Sequence, residues 1–430
     1  MGTDHVFVVQ KRGLSPINSM TEYYDELETR SADEREQAQF EAIRAQIEHV
    51  QKNTPAYSRS LKDFKAGEIT DAASFSVLPL TRKSELIVLQ RARRPFGGYT
   101  PTDRGQYSHV FASPGPIYEP GYPVPDFWRF ARSLHACGIR AGDLVHNCFS
   151  YHFTPAGQMF DSAAAALGCA VIPAGVGQTE LQVQTIADLK PDAYVGTPSF
   201  LKIILEQADE LGSDASSIKK ALVSGEALPP PLRDGFAGRG INVLQCYGTA
   251  DLGLIAYESD AREGLIVDEG VYVEIVRPGS GDPVDEGEVG EVVVTNLGKE
   301  YPLIRFATGD LSAFLPGPSP CGRTNRRIAG WMGRADQTAK VRGMFIHPEQ
   351  VDGVIKRHPE ISRARLVIDW IDQADAITLQ CEVADYDDSL GTSIAESIRA
   401  ICKLRGEVDL VAPGSLPNDG KVIDDIRKYE

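Results

Sequence analysis

Between residues 20 and 50 the apolar positions follow a helical period. Charged and helix-favouring residues surround a set of apolar residues spaced three or four apart, namely Phe40, Ile43, Ile47 and Val50. This spacing predicts one or two amphipathic helices. We expect these helices on the surface, as a solvated lid with no part in chemistry.

A different pattern runs from residue 142 to residue 221. Short apolar runs alternate with helical segments in the order strand, helix, strand, helix, strand, which indicates a parallel sheet with crossover helices. Ligands of such sheets bind at the carboxyl ends of the strands. Four short segments should meet there, at residues 151–153, 175–177, 197–199 and 224–226.

The chain changes character twice more. After Arg262 it is rich in strands punctuated by Gly and Pro, which predicts an antiparallel unit, and after Gly333 a compact α+β unit follows. We therefore predict an α/β fold with two domains. Residues 1–332 form a large domain with parallel α/β sheets and an antiparallel β subdomain, and residues 333–430 form a small α+β domain, with the hinge near Asp336.

Composition narrows the class of protein. The 430 residues are 42% hydrophobic and 24% charged, as in ordinary globular enzymes. A net charge of −16 argues against nucleic acid or an anionic membrane as a partner, since both are held through Lys and Arg. We predict no membrane span and no signal peptide, and expect a cytoplasmic protein. Oligomeric state stays open, with a homodimer possible.

Cysteine usage agrees with a reducing compartment. The seven cysteines form no CxxC pair, so we predict that all of them are structural rather than paired in disulfides.

Four motifs carry the strongest functional signal. In chain order they are QCYGTAD at 245–251, PLIRFATGD at 302–310, CGRTNRRI at 321–328, and GRAD at 333–336 continuing to KVRG at 340–343. Their order and spacing resemble the adenylate-forming acyl/aryl-CoA synthetases, and in particular the phenylacetate–CoA ligase branch. The resemblance implies an AMP-forming acid–CoA ligase that uses ATP, Mg²⁺ and coenzyme A. It also implies that the small domain is mobile.

The resemblance assigns roles to single residues. Asp310 would accept hydrogen bonds from the ribose hydroxyls, as a carboxylate can, and Arg334 would contact the sugar or the α-phosphate. Asp251 would hold Mg²⁺, although it is one methylene shorter than the glutamate of the family. The further residues that it places around the nucleotide are Ser224, Gly225, Glu226, Tyr247, Gly248 and Thr249.

Near the C-terminus, Gly420 and Lys421 follow a PGSLP segment and resemble the terminal Gly-Lys of the family. The family role makes Lys421 catalytic, since that lysine reaches the α-phosphate and the attacking carboxylate. After adenylation the small domain would turn about Asp336, withdraw Lys421 and present residues 340–345 to the pantetheine arm.

The acid is expected against the first two strand ends. Tyr151, His152, Phe153 and the turn at Gly175 would line a pocket for an aryl acid or a short branched or hydroxylated one. His152 has two interpretations. It could hydrogen-bond the substrate, or it could be a buried histidine with its bonds satisfied inside the protein.

One segment departs from the family. Where relatives have a Ser-Ser-Gly-Thr-Thr-Gly-Lys-Pro phosphate loop, residues 112–120 read ASPGPIYEP. Pro114 and Pro116 offer no N–H, and Glu119 replaces the lysine. Two lost donors could cost about 3 to 6 kcal/mol of triphosphate binding, so we expect the triphosphate to be held loosely or differently.

This departure keeps other functions open. A non-catalytic homologue that binds a nucleotide or an acyl adenylate is the alternative, although retention of Asp310, Arg334 and Lys421 favours an enzyme. Transfer to a carrier-protein thiol is a third possibility, and free CoA is the simpler acceptor. Ser259 and Ser319 stand where some relatives have zinc-binding cysteines, so we predict no zinc site.

Overall fold

The computed structural model describes residues 22–427 except 115, 336, 338, 342, 343, 372, 373, 386 and 387. Its α-helices are α1 Ala32–Asn53, α2 Tyr57–Ser60, α3 Ala72–Ser76, α4 Leu86–Ala92, α5 Ala131–Ala136, α6 Ala156–Leu167, α7 Thr179–Leu189, α8 Pro198–Leu211, α9 Pro230–Gly238, α10 Pro348–Ile355 and α11 Asp388–Cys402. Short 3-10 helices lie at Glu26–Thr29, Ala66–Glu68, Lys83–Glu85 and Arg104–Gln106. Within the described ranges, no helix has both the length and the apolar character needed to cross a bilayer.

The strands form one nine-stranded sheet, two four-stranded sheets and two hairpins. They are β1 Thr81–Arg82, β2 His109–Ser113, β3 Ile117–Gly121, β4 Leu144–Asn147, β5 Ala170–Ile172, β6 Ala193–Gly196, β7 Lys220–Val223, β8 Asn242–Thr249, β9 Gly253–Tyr257, β10 Leu265–Val267, β11 Val271–Val276, β12 Gly290–Asn296, β13 Phe306–Ser312, β14 Phe314–Leu315, β15 Arg327–Ile328, β16 Ala339–Val341, β17 Met344–Ile346, β18 Ile361–Ile371, β19 Ala374–Val383, β20 Glu407–Val411 and β21 Ile423–Asp425.

The largest sheet has nine strands in the order β14-β15-β10-β9-β8-β7-β6-β4-β5. Strands β5, β4, β6, β7 and β8 are parallel, and helices α6 to α9 connect them. Local signals agree with this topology: Thr197 caps α8 by accepting a hydrogen bond from the Phe200 amide, and Pro198 begins the helix. The predicted parallel α/β region is confirmed.

One four-stranded sheet has the order β1-β13-β12-β11, and β11, β12 and β13 are antiparallel neighbours. This confirms the antiparallel unit predicted after Arg262. Helix α1 packs on the same core, with Ile43, Ile47 and Val50 fully buried. Each buried side chain of this kind contributes about 1.5 to 3 kcal/mol, so the interpretation of this segment as a solvated lid is wrong.

The C-terminal part has its own hydrophobic core. The hairpin β16–β17 leads to a sheet of order β20-β19-β18-β21, which packs with helices α10 and α11. The buried residues of this core run from Ala339 to Ile423. The domain boundary at residue 333 stays a prediction, and the hinge residue Asp336 lies outside the described residues.

Candidate active site

The carboxyl ends of the parallel strands bring the four predicted segments together. The Gly175 amide donates to the carbonyl of Asn147 at the end of β4 (2.9 Å), and the Ser224 amide donates to Gly196 at the end of β6 (3.2 Å). The Ser199 amide donates to the Glu226 carboxylate at 3.3 Å. The prediction that these segments meet at one edge of the sheet is confirmed.

Tyr151 of the predicted acid pocket is held by hydrogen bonds inside the protein. Its hydroxyl accepts from Asn147 Nδ2 at 2.8 Å and donates to Asp161 Oδ1 at 3.3 Å, and burial raises its pKa. The ring lies against Gly157, where a Cβ would stand 2.8 Å from it. These contacts fix the ring beside the turn at Gly175.

His152 and Phe153 lie differently from expectation. Both are exposed, and Phe153 retains 80% of its accessible surface. The interpretation of His152 as a buried, satisfied histidine is therefore wrong. Phe153 has a φ of 57°, and its carbonyl accepts from the Ala112 amide at 2.9 Å. This bond ties the pocket segment to strand β2, where the atypical phosphate loop begins.

A network of donors surrounds Asp310. Tyr247 Oη donates to Asp310 Oδ2 at 2.8 Å, while Trp331 Nε1 and Arg334 Nη1 donate to Oδ1 at 3.1 and 2.8 Å. Burial, together with the Asp310 charge, raises the pKa of Tyr247 and keeps its hydroxyl protonated. Since a carboxylate offers about four acceptor positions, Asp310 can still accept from a ligand hydroxyl.

The backbone explains why Asp310 and Arg334 meet. Asp310 lies inside β13, which continues to Ser312, and it forms a β-bridge with Arg334. Gly309 adopts a φ of 77°, and a Cβ there would lie 2.7 Å from Arg334 Nη2. Glycine is therefore required where the arginine crosses the strand.

Thr249, Gly248 and the segment 224–226 make mainly structural contacts. The Thr249 hydroxyl accepts from the Leu252 amide at 3.2 Å, and a Cβ on Gly248 would stand 2.6 Å from the Gly253 carbonyl. Ser224 donates to the Cys246 carbonyl at 2.8 Å, and Gly225 has a φ of 81°. Their assignment to the nucleotide stays a prediction.

Asp251 has a cationic partner that the sequence motifs did not indicate. Lys83 Nζ lies 2.6 Å from Asp251 Oδ2, and the aspartate side chain is fully buried. The other oxygen, Oδ1, is buried and has no hydrogen-bond partner among the described residues. Asp251 therefore holds one cation and keeps one oxygen available.

The residue that replaces the phosphate-loop lysine faces the same cluster. Glu119 is buried on β3 and accepts a hydrogen bond from Ser113 Oγ. Burial and the nearby charge of Asp251 raise the pKa of Glu119 to about 8, with Lys83 acting in the opposite direction. At neutral pH the protonated form is therefore favoured, and the hairpin β2–β3 adds no cation to the site.

A cavity of about 460 Å³ lies beside Lys83 and Arg334, the partners of Asp251 and Asp310. Its volume is within the usual range of small-molecule pockets. The nucleotide motifs contribute Thr308, Gly309 and Arg334, and the turn after β1 contributes Arg82 and Lys83. Three residues of the C-terminal part, His347, Pro348 and Glu349, close another side.

Lys421 lies elsewhere in this arrangement. Its Nζ pairs with Asp424 Oδ1 at 2.7 Å, and its side chain is about half exposed. It lines a narrow cleft together with Glu288 and Val289. The predicted catalytic lysine is thus near the β11–β13 sheet but does not line the nucleotide cavity.

Sequence reasoning missed Arg82, Lys83 and Trp331 as site residues. Arg82 and Lys83 follow a short apolar stretch and form no motif, and their placement depends on the pairing of β1 with β13 more than two hundred residues later. Trp331 precedes the GRAD motif by two residues, which is the one signal that could have suggested it.

Comparisons with known proteins agree with this geometry. Residues 133–298 match the family model described as AMP-binding enzyme. The chain is 32% identical to phenylacetate-coenzyme A ligase of Aromatoleum evansii, over 83% of each chain, and 30% identical to that of Escherichia coli K12, over 92% of this chain and 95% of the other. An open 2-hydroxyisobutyryl-CoA ligase in complex with 2-HIB-AMP and CoA superposes with a TM-score of 0.71, at 25% identity, over 92% of both chains.

Fold and relatives together define the class as AMP-forming acid–CoA ligases. Within that class, the chain belongs to the phenylacetate–CoA ligase family.

Proposed function

We propose that this ligase activates a small aryl acid, or a short branched or hydroxylated one, with ATP and Mg²⁺ and transfers it to free CoA. The observation that carries the proposal is the carboxylate of Asp310, which Tyr247, Trp331 and Arg334 hold next to Thr308 and Gly309 of the cavity lining. The relatives named above are ligases of phenylacetate and 2-hydroxyisobutyrate, so both acids are candidates.

The acid site is proposed beside Tyr151 and Gly175. A Cβ on Gly175 would stand 4.0 Å from the Tyr151 ring, so the glycine leaves space next to an aromatic face. The Tyr151 hydroxyl, held by Asn147 and Asp161, supplies a polar group for a hydroxylated acid. An aryl acid would instead use the ring face.

The residues present fit a divalent cation. Asp251 Oδ1 is buried without a partner among the described residues, and carboxylate oxygens are the ligands that Mg²⁺ prefers. Asp251 would hold the ion directly or through water. When bound, Mg²⁺ supplies positive charge to the phosphate oxygens.

In the proposed reaction, an oxygen of the acid attacks the α-phosphorus of ATP and pyrophosphate leaves. Arg334 and Lys421 would neutralise the charge that develops on the phosphate, which requires Lys421 to leave its pairing with Asp424. The CoA thiol then displaces AMP from the acyl adenylate. The hairpin β16–β17 directly precedes His347, Pro348 and Glu349 at the cavity, which supports an approach of the thiol from this side.

The test is an incubation of the purified protein with ATP, Mg²⁺, CoA and a panel containing phenylacetate, benzoate and 2-hydroxyisobutyrate. Mass spectrometry should detect an acyl-CoA and an equal amount of AMP for at least one acid. Without CoA, the acyl adenylate and pyrophosphate should accumulate instead. If no acid yields AMP, the proposal fails.

A further inference from the structure

The hairpin β2–β3 cannot supply the usual grip on a triphosphate. Pro114 and Pro116 have no N–H to donate, and Glu119 points into the protein, where it accepts a hydrogen bond from Ser113. A triphosphate carries several negative charges, so the ligase needs cations from another element. The nucleotide cavity contains two candidates.

We propose that Arg82 and Lys83 hold the β- and γ-phosphates of ATP and the leaving pyrophosphate. This proposal rests on the nucleotide site proposed above and names the residues that replace the family's phosphate loop. Both side chains line the cavity that also contains Thr308, Gly309 and Arg334.

Backbone pairing fixes where the two cations stand. Strand β1 pairs in parallel with β13, so that Arg82 lies opposite Ala307, directly before the segment that leads to Asp310. Lys83 begins the 3-10 helix that follows. Ile117, the first residue after the loop of the β2–β3 hairpin, lines the same cavity. The cations therefore lie between the proposed ribose site and the loop that would hold phosphates in relatives.

The guanidinium of Arg82 has N–H donors available for phosphate oxygens. Its Nη1 lies 3.7 Å from Glu291 and 3.9 Å from Glu349, which are charge contacts longer than hydrogen bonds. Its Nη2 donates to the Gly279 carbonyl at 3.3 Å. Since a guanidinium has five N–H donors, Arg82 can bind phosphate oxygens bidentately while it keeps its contact with Gly279.

Lys83 is positioned by Asp251 and is the more accessible partner of that pair. About a quarter of its side chain is exposed, against none of the aspartate. An ammonium has three donors, so one can remain on Asp251 while others face the cavity. In relatives a lysine of the phosphate loop supplies positive charge where this chain has Glu119. Lys83 supplies that charge here from the segment after β1.

The experiment compares ATP with AMP, because only ATP has the phosphates in question. Isothermal titration should show that Arg82→Gln and Lys83→Met each weaken ATP binding about 10- to 100-fold, while AMP binding changes less than twofold. Inorganic pyrophosphate should lose affinity in the same variants. The thiolysis of a supplied acyl adenylate by CoA should keep its rate.

Two controls separate this role from a structural one. Lys65→Met removes an exposed lysine that pairs with Glu68 on the surface, and it should leave ATP binding unchanged. Lys83→Arg keeps a cation beside Asp251, and it should retain most of the ATP affinity that Lys83→Met loses.

An ATP affinity that is unchanged in either Arg82→Gln or Lys83→Met overturns the proposal, as does an equal loss of ATP and AMP binding. Failure of the proposed function is distinguishable from both outcomes, since the wild-type protein would then form no adenylate with any acid.

Discussion

The nucleotide cavity is lined by Arg334, which pairs with Asp310, and by Lys83, which pairs with Asp251. The polar groups behind these two cations, here called the Asp310 end and the Asp251 end, differ in how they are paired. At the Asp310 end, both carboxylate oxygens receive hydrogen bonds from side chains. At the Asp251 end, three buried atoms have no partner among the described residues: Glu119 Oε2, Asp251 Oδ1 and Tyr301 Oη. Tyr301 belongs to this end because the Asp251 charge, together with burial, raises its pKa. Each unpaired group costs about 1 to 3 kcal/mol. We infer that the ribose end is preformed, whereas the phosphate end completes its contacts when ATP and the cation bind.

The largest expected effect concerns the preformed end. Asp310→Ala should weaken the binding of AMP and ATP equally, by about two to four orders of magnitude. It removes the two proposed hydrogen bonds from the ribose hydroxyls to the carboxylate, at about 1.5 to 3 kcal/mol each. Isothermal titration with both nucleotides measures this. A loss confined to ATP would show that Asp310 does not serve the ribose.

Lys421→Ala probes a residue that belongs to neither end in this structure. It should slow adenylation about 10²- to 10³-fold, as expected for loss of one group that stabilises transition-state charge. Thiolysis of a supplied acyl adenylate should be largely intact, because Lys421 would have withdrawn by then. Rapid-quench assays of the two half-reactions give the answer, and an equal loss in both would contradict the alternation of domains. The matched control is Lys356→Ala, a lysine of the same region that pairs with Asp352.

The sequence predicted those parts of the fold in which apolar residues recur at a regular spacing within one segment. The alternation between residues 142 and 221 predicted the parallel sheet, and the spacing of Phe40, Ile43 and Ile47 predicted α1. The position of α1 was not accessible, because a stripe of apolar residues does not show whether it faces a core or a partner. The structure resolves this by burying the stripe against the β11–β13 sheet.

The sequence predicted those site residues that belong to a recognisable motif. The meeting of Tyr247, Asp310 and Arg334 was anticipated from three separate motifs. The role of Lys83 was not anticipated, because its position at the site depends on the pairing of residues 81–82 with residues 306–307, and no local sequence pattern predicts that pairing. The loss of the phosphate loop was visible in the sequence, but its replacement could be found only where the fold brings distant cations together.

The buried carboxyl of Glu119 at the Asp251 end should make the stability of the protein depend on pH. Because the folded-state pKa of Glu119 is raised from 4.5 to about 8, the folded protein binds more protons than the unfolded chain between these values. Stability should therefore fall as the pH rises through this window. Glu119→Gln removes this dependence, so its stability relative to wild type should increase between pH 5 and pH 8 by about 1 to 3 kcal/mol. Urea unfolding of both proteins at the two pH values measures this difference in the free energy of unfolding. If the free energy changes equally with pH in both proteins, Glu119 is not a buried neutral carboxyl.

The smallest expected effect tests whether the preformed end depends on its donors. Tyr247→Phe removes the hydroxyl that donates to Asp310 Oδ2 at 2.8 Å, and this should cost about 1.5 kcal/mol, or roughly tenfold in affinity, for AMP and ATP alike. Tyr257→Phe is the matched control, because its hydroxyl donates to the Glu28 carboxylate at the same distance but away from the cavity. That variant should lose stability and keep its nucleotide affinity. If Tyr247→Phe weakens ATP much more than AMP, the preformed network extends to the phosphates and the contrast between the two ends disappears.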